Sequence, residues 1–451
     1  MKIIVVLWIL VLVCNVQTEK NNHDNDPENF ENNNYKSAAV IRVILNNGKQ
    51  IDQLLPLKQH MNVDFWQEPA PINNFTAHIM ITSQNRDKVN KYLQNRHIRS
   101  EILHSNVETL IENERKALIK ADHLFQLINA NNKVGNTSEA IAGFWTKYHR
   151  YEDINRFMDE LSKKSNNLVE KFVLGESYEK RTIYYIRISD SKESEKPVIY
   201  IQGGIHAREW ISTAVVTYFA QQLVNGVINS DLNTLQLIKK FDFYITPVLN
   251  VDGYEYSHIQ RRLWRKTRSI NGRSISDCRG VDPNRNYDFH WGKKGSSSYL
   301  CSETYSGKKA FSEPEIRAEA DFIKKKLGKR VKVYIAVHSY NQLWLYPWGH
   351  EIKNSPHVEK LSEKAKIATE ALYKRYKTRF QYGSSAQVLY VSSGESIDWA
   401  HGKASIPYAY QVELRDTGEY GFLLPPDQIR PSGEEITDAF KAMFLSISKE
   451  L

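Results

Sequence analysis

Cysteine is scarce, three in 451 residues, which excludes a fold stapled together by many bridges. Long apolar runs are scarce as well. The one near the start, Ile3 to Val13 behind Met1-Lys2, is too short to span a bilayer and fits a secretory leader over residues 1–18. No other stretch reads as long and apolar enough to serve as an anchor. The expectation is therefore a soluble, secreted, extracellular protein with no membrane partner. Internal repeats and recognised nucleic-acid motifs are missing too. The net charge is +9 and the pI about 9.1, a balance compatible with nucleic acid or anionic glycans. Yet Lys and Arg are scattered, and runs such as Lys324-Lys325-Lys326 read as a solvated helix face. No nucleic-acid partner is expected, and a glycan-binding surface remains the rival reading of the charge. Of the cysteines, Cys14 would leave with the leader. Cys278 and Cys301 remain as an even pair in an oxidising compartment, where a bridge would close a loop worth about 3 kcal/mol. A reduced pair or a metal site is the alternative.

What the chain does contain is His206-Ala207-Arg208-Glu209, followed far downstream by His338. Imidazole nitrogen and carboxylate oxygen suit zinc, and a catalytic zinc takes three protein ligands and keeps a fourth position for water. A short His-x-x-Glu pattern recurs by chance, so its setting matters. Pro197 to Ile201 reads as a buried strand broken by Gly203-Gly204, and Val331 to Val337 as a second with His338 at its end. Ligands at strand exits can converge however far apart they lie in sequence. A structural histidine beside a surface glutamate is the bland alternative.

From about Phe144 onward, the blocks GGIHAREW, LWRKTRS, VDPNRNYDF, CSETYSG, AVHSYNQLWLYPWG, SGESIDWA and VELRDTGEYGFLLP follow in that order. In them the chain resembles the zinc metallocarboxypeptidases of the pancreatic A/B type. The resemblance implies one zinc ion per chain, held by His206, Glu209 and His338, with Asp282 orienting the first histidine from behind. It implies Glu413 as general base and Arg268 as the group that polarises the scissile carbonyl. Asn284 and Arg285 are then the clamp for the substrate's terminal carboxylate, since a planar guanidinium grips a carboxylate with two prongs. Tyr390 closes on the substrate, Arg208 lines outer subsites, and Cys278 is bridged to Cys301. Read from the residues alone, the alternatives are a helix cap for Asp282, a partner of Arg415 for Glu413, and part of a solvated basic face for Arg268.

The resemblance also bears on which C-terminal residue is removed. Ile397 stands where B-type enzymes carry an acid, so an A-type preference for aliphatic and aromatic residues is expected. Against this, Glu395 stands where relatives usually have glycine and Gln411 is also polar, and an acid there either favours Lys and Arg or merely faces solvent. The rival from another class is a catalytically dead peptide-binding relative that keeps the clamp.

A chain of this length calls for two folded units. Strand-like runs at Thr182–Ile188, Val198–Ile201, Phe241–Val248, Val331–Val337 and Tyr408–Leu414 alternate with helical ones at Ser212–Val224, Glu313–Lys326 and His357–Tyr376. This argues an α/β fold, which the resemblance sharpens to a mixed sheet of the eight-stranded type flanked by helices, over residues 140–451. Residues 19–115 resemble the family's activation segment, a small α+β module with strands at Ala38–Leu45 and Ala77–Thr82 and helices at Arg86–Leu93 and Val107–Lys120. Residues 116–139 are the expected connection. Lys133 is the favoured cut for a trypsin-like activating protease, with Arg115-Lys116 and Lys120 as alternatives. The arginine cluster that marks the cut in many relatives is missing. The expected substrates are peptide and protein C-termini, and the expected state is a monomer. Asn74 and Asn136 sit in glycosylation patterns.

Overall fold

The computed structural model describes residues 35–60, 63–71, 74–131, 143–192, 194–271 and 278–451. The expected leader, Lys133 and Asn136 lie outside the described residues. Asn74 is exposed.

The first part of the described chain is a four-stranded antiparallel sheet of β1 (Ala39–Ile44), β2 (Asp64–Gln67), β3 (Thr76–Ile81) and β4 (Arg99–His104), in the order β2-β3-β1-β4. Side chains alternate across a strand, and here the alternation sorts two sets of contacts. Ala39, Ile41 and Val43 join a small core with Val89 and Leu93 of helix α1 (Arg86–Gln94). Ala38 and Val40 join a second cluster with Trp66, Val107, Leu263, Tyr340 and Phe422. This second cluster is the seam with the rest of the chain, and it explains why the run around β1 is apolar on both faces. Helix α2 runs from Val107 to Asn131. It passes straight through the boundary expected at residue 115, so the activation module and the connection share one helix. Arg115, Lys116 and Lys120 all lie on it.

The second part is built on eight strands: β5 (Val169–Glu176), β6 (Thr182–Ile188), β7 (Val198–Gln202), β8 (Asp242–Thr246), β9 (Val331–Ser339), β10 (Leu343–Tyr346), β11 (Gln381–Ser384) and β12 (Tyr408–Leu414). Their order is β11-β10-β12-β9-β7-β8-β6-β5. The centre, β12-β9-β7-β8, is parallel, and antiparallel pairs flank it. Strands buried on both faces read as continuous apolar runs. β7, β8 and β12 are buried at every position, and β9 at all but one.

Flanking helices include α3 (Tyr151–Lys164), α4 (Trp210–Ile228), α5 (Leu232–Lys240), α6 (Val251–Ile259), α7 (Pro314–Asp321), α8 (Val358–Tyr376) and α9 (Ile429–Ser448). The architecture is thus the α/β fold expected, with the small α+β module before it. One expectation changes. By length and composition, α4 is apolar enough to cross a membrane. Its residues are instead buried against the sheet and α9, which is why it is apolar nearly all round.

Candidate metal centre and peptide cleft

In open parallel sheets, ligands bind beyond the carboxyl ends of the strands. Here the ends of β7, β9 and β12 lie side by side. After Gln202 the chain turns sharply at Gly203-Gly204. A Cβ on Gly203 would come within 2.7 Å of the Pro247 carbonyl, and Gly204 adopts a φ of +59°. Glycine is the residue that tolerates both demands. The Ser212 hydroxyl then staples this turn to the neighbouring strand, accepting from the Gly204 N–H at 3.0 Å and donating to the Val337 carbonyl at 2.6 Å. The staple brings His206 and Glu209 to His338, the residue after Val337.

The three side chains are buried and their donor atoms lie within 4.8 Å of one another. His206 Nδ1 is 2.8 Å from Glu209 Oε1 and 3.1 Å from His338 Nδ1, which is itself 3.1 Å from Glu209 Oε2. His206 Nε2 faces Asp282 Oδ1 at 3.1 Å. That contact places the ring proton on Nε2 and leaves Nδ1 a lone pair aimed at the other two ligands. Two imidazole nitrogens and a carboxylate thus converge on one point, an arrangement suited to sharing a single cation. The donor set fits one zinc ion with three protein ligands. Asp282 also accepts from the Asn284 N–H at 3.0 Å, so it caps a short turn as well as facing the histidine.

The basic run after Trp264 is where the structure departs from expectation. Arg268 does not reach the cleft. Its guanidinium stacks on Tyr256 at 3.5 Å and Trp264 at 4.7 Å, with Glu179 at 3.7 Å, and it is absent from the cavity lining. Arg265 occupies the cleft instead, with Nη2 2.9 Å from Asp282 Oδ2 and Nη1 3.3 Å from His206 Nδ1. Burial opposes ionisation of Asp282, but the Arg265 and Arg285 guanidiniums outweigh it and hold the carboxyl well below the usual range. Nothing in a loop's sequence says which of two arginines three residues apart turns inward.

Glu413 on β12 stands in register with His338 on the parallel neighbour β9. Its carboxyl accepts from Gln411 Nε2 at 2.7 Å. Burial, reinforced by the Glu209 charge, pushes it well above the ordinary range. Arg415 is not its partner, because that guanidinium grips Glu435 at 2.6 and 2.7 Å. Asn284 and Arg285 lie on the turn after Asp282. Asn284 Oδ1 accepts from the Ser396 N–H at 2.9 Å, and Arg285 Nε donates to the Gly295 carbonyl at 3.0 Å. Both line the cavity, as do half-buried Tyr390, Glu395 and Gln411. Ile397 is fully buried and is not part of the lining. The Cys278–Cys301 disulfide is formed, and Cys301 lies at the cavity wall.

The first sheet closes the cleft. Lys58, Asp64, Phe65 and Glu68 are among its residues in the lining, and about 190 Å³ is left between the two parts, below the roughly 300 Å³ at which small-molecule pockets begin. Asp64 Oδ2 accepts from Arg208 Nη1 at 2.6 Å, so the arginine expected at the outer subsites is engaged by the module itself. Sequence reasoning did not find this pair, nor the buried Arg262–Glu114 pair at 2.5 and 2.9 Å. Asp64 and Glu114 carry no local pattern that announces a partner so far away.

Two family profiles match the chain, "Zinc carboxypeptidase" over residues 154–439 and "Carboxypeptidase activation peptide" over residues 41–114. Carboxypeptidase B of Astacus astacus is 42% identical over 299 residues, 66% of this chain and 96% of that protein. Zinc carboxypeptidase A 1 of Anopheles gambiae is 36% identical over 407 residues, 90% of this chain and 88% of that one. The crystal structure of carboxypeptidase A from Helicoverpa armigera matches with a TM-score of 0.81 at 28% identity, over 92% of this chain and 98% of that one.

Proposed function

The chain belongs to the zinc carboxypeptidase family, as a zymogen with an activation peptide before its catalytic domain, and from that premise we propose which residues act and on what. Zinc is the cofactor, peptides are the substrates, and a protease must release the activation peptide. We assign the zinc to His206, Glu209 and His338. When bound, the ion supplies Lewis acidity at the scissile carbonyl and makes the attacking water more acidic.

The remaining work falls to side chains of this chain. Glu413 takes the proton of the water and delivers it to the leaving amine, a task suited to a buried carboxyl whose pKa lies above the ordinary range. Arg265, rather than Arg268, holds the negative oxygen that develops on the carbonyl, because it is the guanidinium beside His206. Arg285 and Asn284 grip the terminal carboxylate. Tyr390 shields the site, and Arg208, once free of Asp64, binds residues further from the cut. Apolar preference resting on Ile397 is disfavoured by that residue's absence from the lining. Glu395 puts a carboxyl in the side-chain pocket, so C-terminal Lys and Arg are the favoured residues. A secreted monomer cut by a trypsin-like protease completes the reading, and the leader-like start and the disulfide support its secretion.

The observation that carries the reading is the meeting of three metal donors with Glu413 at the ends of β7, β9 and β12. Trypsin-treated full-length protein is expected to cleave blocked peptides with a free terminal carboxyl and to spare their amides. A chelator should abolish this activity and added zinc restore it. Glu413→Gln should lower kcat by about 10²–10⁴ at unchanged zinc content. Turnover by that variant comparable to the parent, or equal cleavage of the amide, would refute the assignment.

A further inference from the structure

We propose that the side-chain pocket is a two-state selector: with Glu395 ionised it takes the cationic side chain of a C-terminal Lys or Arg, and with Glu395 protonated it takes an uncharged one. This rests on the exopeptidase reading above and adds a control to it.

Four observations place Glu395 at the balance point. Its side chain is buried, and it lines the same cavity as the clamp. Oε1 accepts from the Ser392 hydroxyl and lies 3.5 Å from Arg285 Nη1. Oε2 is buried without a hydrogen-bond partner. Finally, the carboxyl packs where a side chain at position 349 would otherwise be, since a Cβ on Gly349 would fall 2.1 Å from Oε2. The pocket is thus shaped around this carboxyl and leaves one of its oxygens unanswered.

The neighbouring charges pull both ways. Arg285, on the clamp turn, favours the ionised form. Asp398 on the following turn, Asp282 beside the clamp and Glu413 on β12 all disfavour it. Asp398 is already satisfied by the Gly349 and His350 N–H groups and by His350 Nδ1, so it does not compete for a ligand. With the module in place, burial is the largest influence, and the group is pushed up to about 7. Substrate sharpens the contest. A terminal carboxylate on Arg285 occupies the cation that most favours ionised Glu395. An ammonium or guanidinium entering the pocket replaces it and answers Oε2, whereas an apolar side chain leaves the neutral carboxyl as the cheaper state to bury.

The test compares kcat/KM for two blocked peptides differing only in a terminal Arg or Phe, from pH 5.5 to 8.5, on full-length protein treated with trypsin and then quenched. Arg keeps its charge throughout this range and Phe has none. Titrations of the shared catalytic groups cancel in the ratio. The Arg-to-Phe ratio is expected to rise at least on the order of thirtyfold across the range, continuously as Glu395 ionises, and to be flat in Glu395→Gln. A flat ratio in the wild type overturns the proposal, and so does a slope that survives in the variant. Should the variant fail to fold, the wild-type profile alone decides. If neither peptide is cleaved, the exopeptidase reading falls and this proposal with it. If both are cleaved at a constant ratio, only this proposal falls.

Discussion

The eight-stranded part and the four-stranded module use burial in different ways. The large sheet is held by one continuous apolar core, from Trp145 and Phe157 through β7, β8, β9 and β12 to Phe440 and Phe444. Such a core is non-directional and grows with area. The module has a small core of its own, while its outer face meets the rest of the chain through an aromatic cluster and through ion pairs that include Asp64–Arg208 and Glu114–Arg262. Buried ion pairs add little net stability when intact, because desolvation offsets attraction, but they become costly when one partner is lost. The comparison teaches that the permanent fold and the removable cover rest on different physics. One rests chiefly on a continuous apolar core, while the other adds buried charges that must meet in register to an aromatic cluster.

The largest expected effect is at that seam. Arg262→Ala leaves Glu114 ionisable and buried without its partner, in a place where burial already pushes its carboxyl up. Docking of the module should weaken by about 3–5 kcal/mol. Uncleaved protein should then show carboxypeptidase activity and faster amide exchange in β1 to β4. Latency equal to the parent would break the contrast drawn above.

On the catalytic side, the two neighbouring arginines should separate. Arg265→Ala is expected to lower kcat of the trypsin-treated protein by about 10²–10³, the loss typical of removing an oxyanion donor. Arg268→Ala should change kcat by a few-fold at most, since its guanidinium stacks on Tyr256 and Trp264 outside the cavity. Equal losses would restore Arg268 to the role the sequence suggested.

The remaining effect concerns pH. His78 on β3 is buried in the seam, its Nδ1 3.1 Å from the Tyr340 hydroxyl and its ring against Gly418. Burial, with Arg42 and His104 adding to it, pushes His78 down to about 4 from an ordinary value near 6.5. The docked state therefore resists the proton that the undocked state accepts. Docking support is fully present above about pH 6.5 and declines as pH falls toward 4, by up to tenfold per unit and about 3 kcal/mol in all. His104 is lowered as well and adds in the same direction, although Asp416 opposes it. Exchange protection of β3 measured at pH 7 and pH 4.5 should show the loss, and His78→Gln should blunt it. Identical protection at both values would remove the histidine from the account.

Much of the molecule could be read directly from the chain. The central strands announce themselves as unbroken apolar runs because both faces are covered. The activation module appears as its own strand and helix pattern. His206, Glu209 and His338 stand out because glycines and strand ends bracket them. Strands β2, β4, β5, β10 and β11 were not anticipated. Several of them carry intermediate or exposed positions, as in Arg99–His104, and so lack the continuous apolar signal.

Local pattern by itself pointed to an α/β part, to a separate small module before it, and to His206, Glu209 and His338 as candidate metal ligands, while the ligand set and the module's covering role came from the resemblance to the family. Tertiary structure alone decided that Arg265 and not Arg268 faces the metal site, that Glu395 rather than Ile397 lines the pocket, and that Asp64 and Glu114 bind arginines far along the chain. In loops no period fixes where a side chain points. Its direction is set by what the rest of the chain packs against it, and a buried charge settles wherever a distant partner allows.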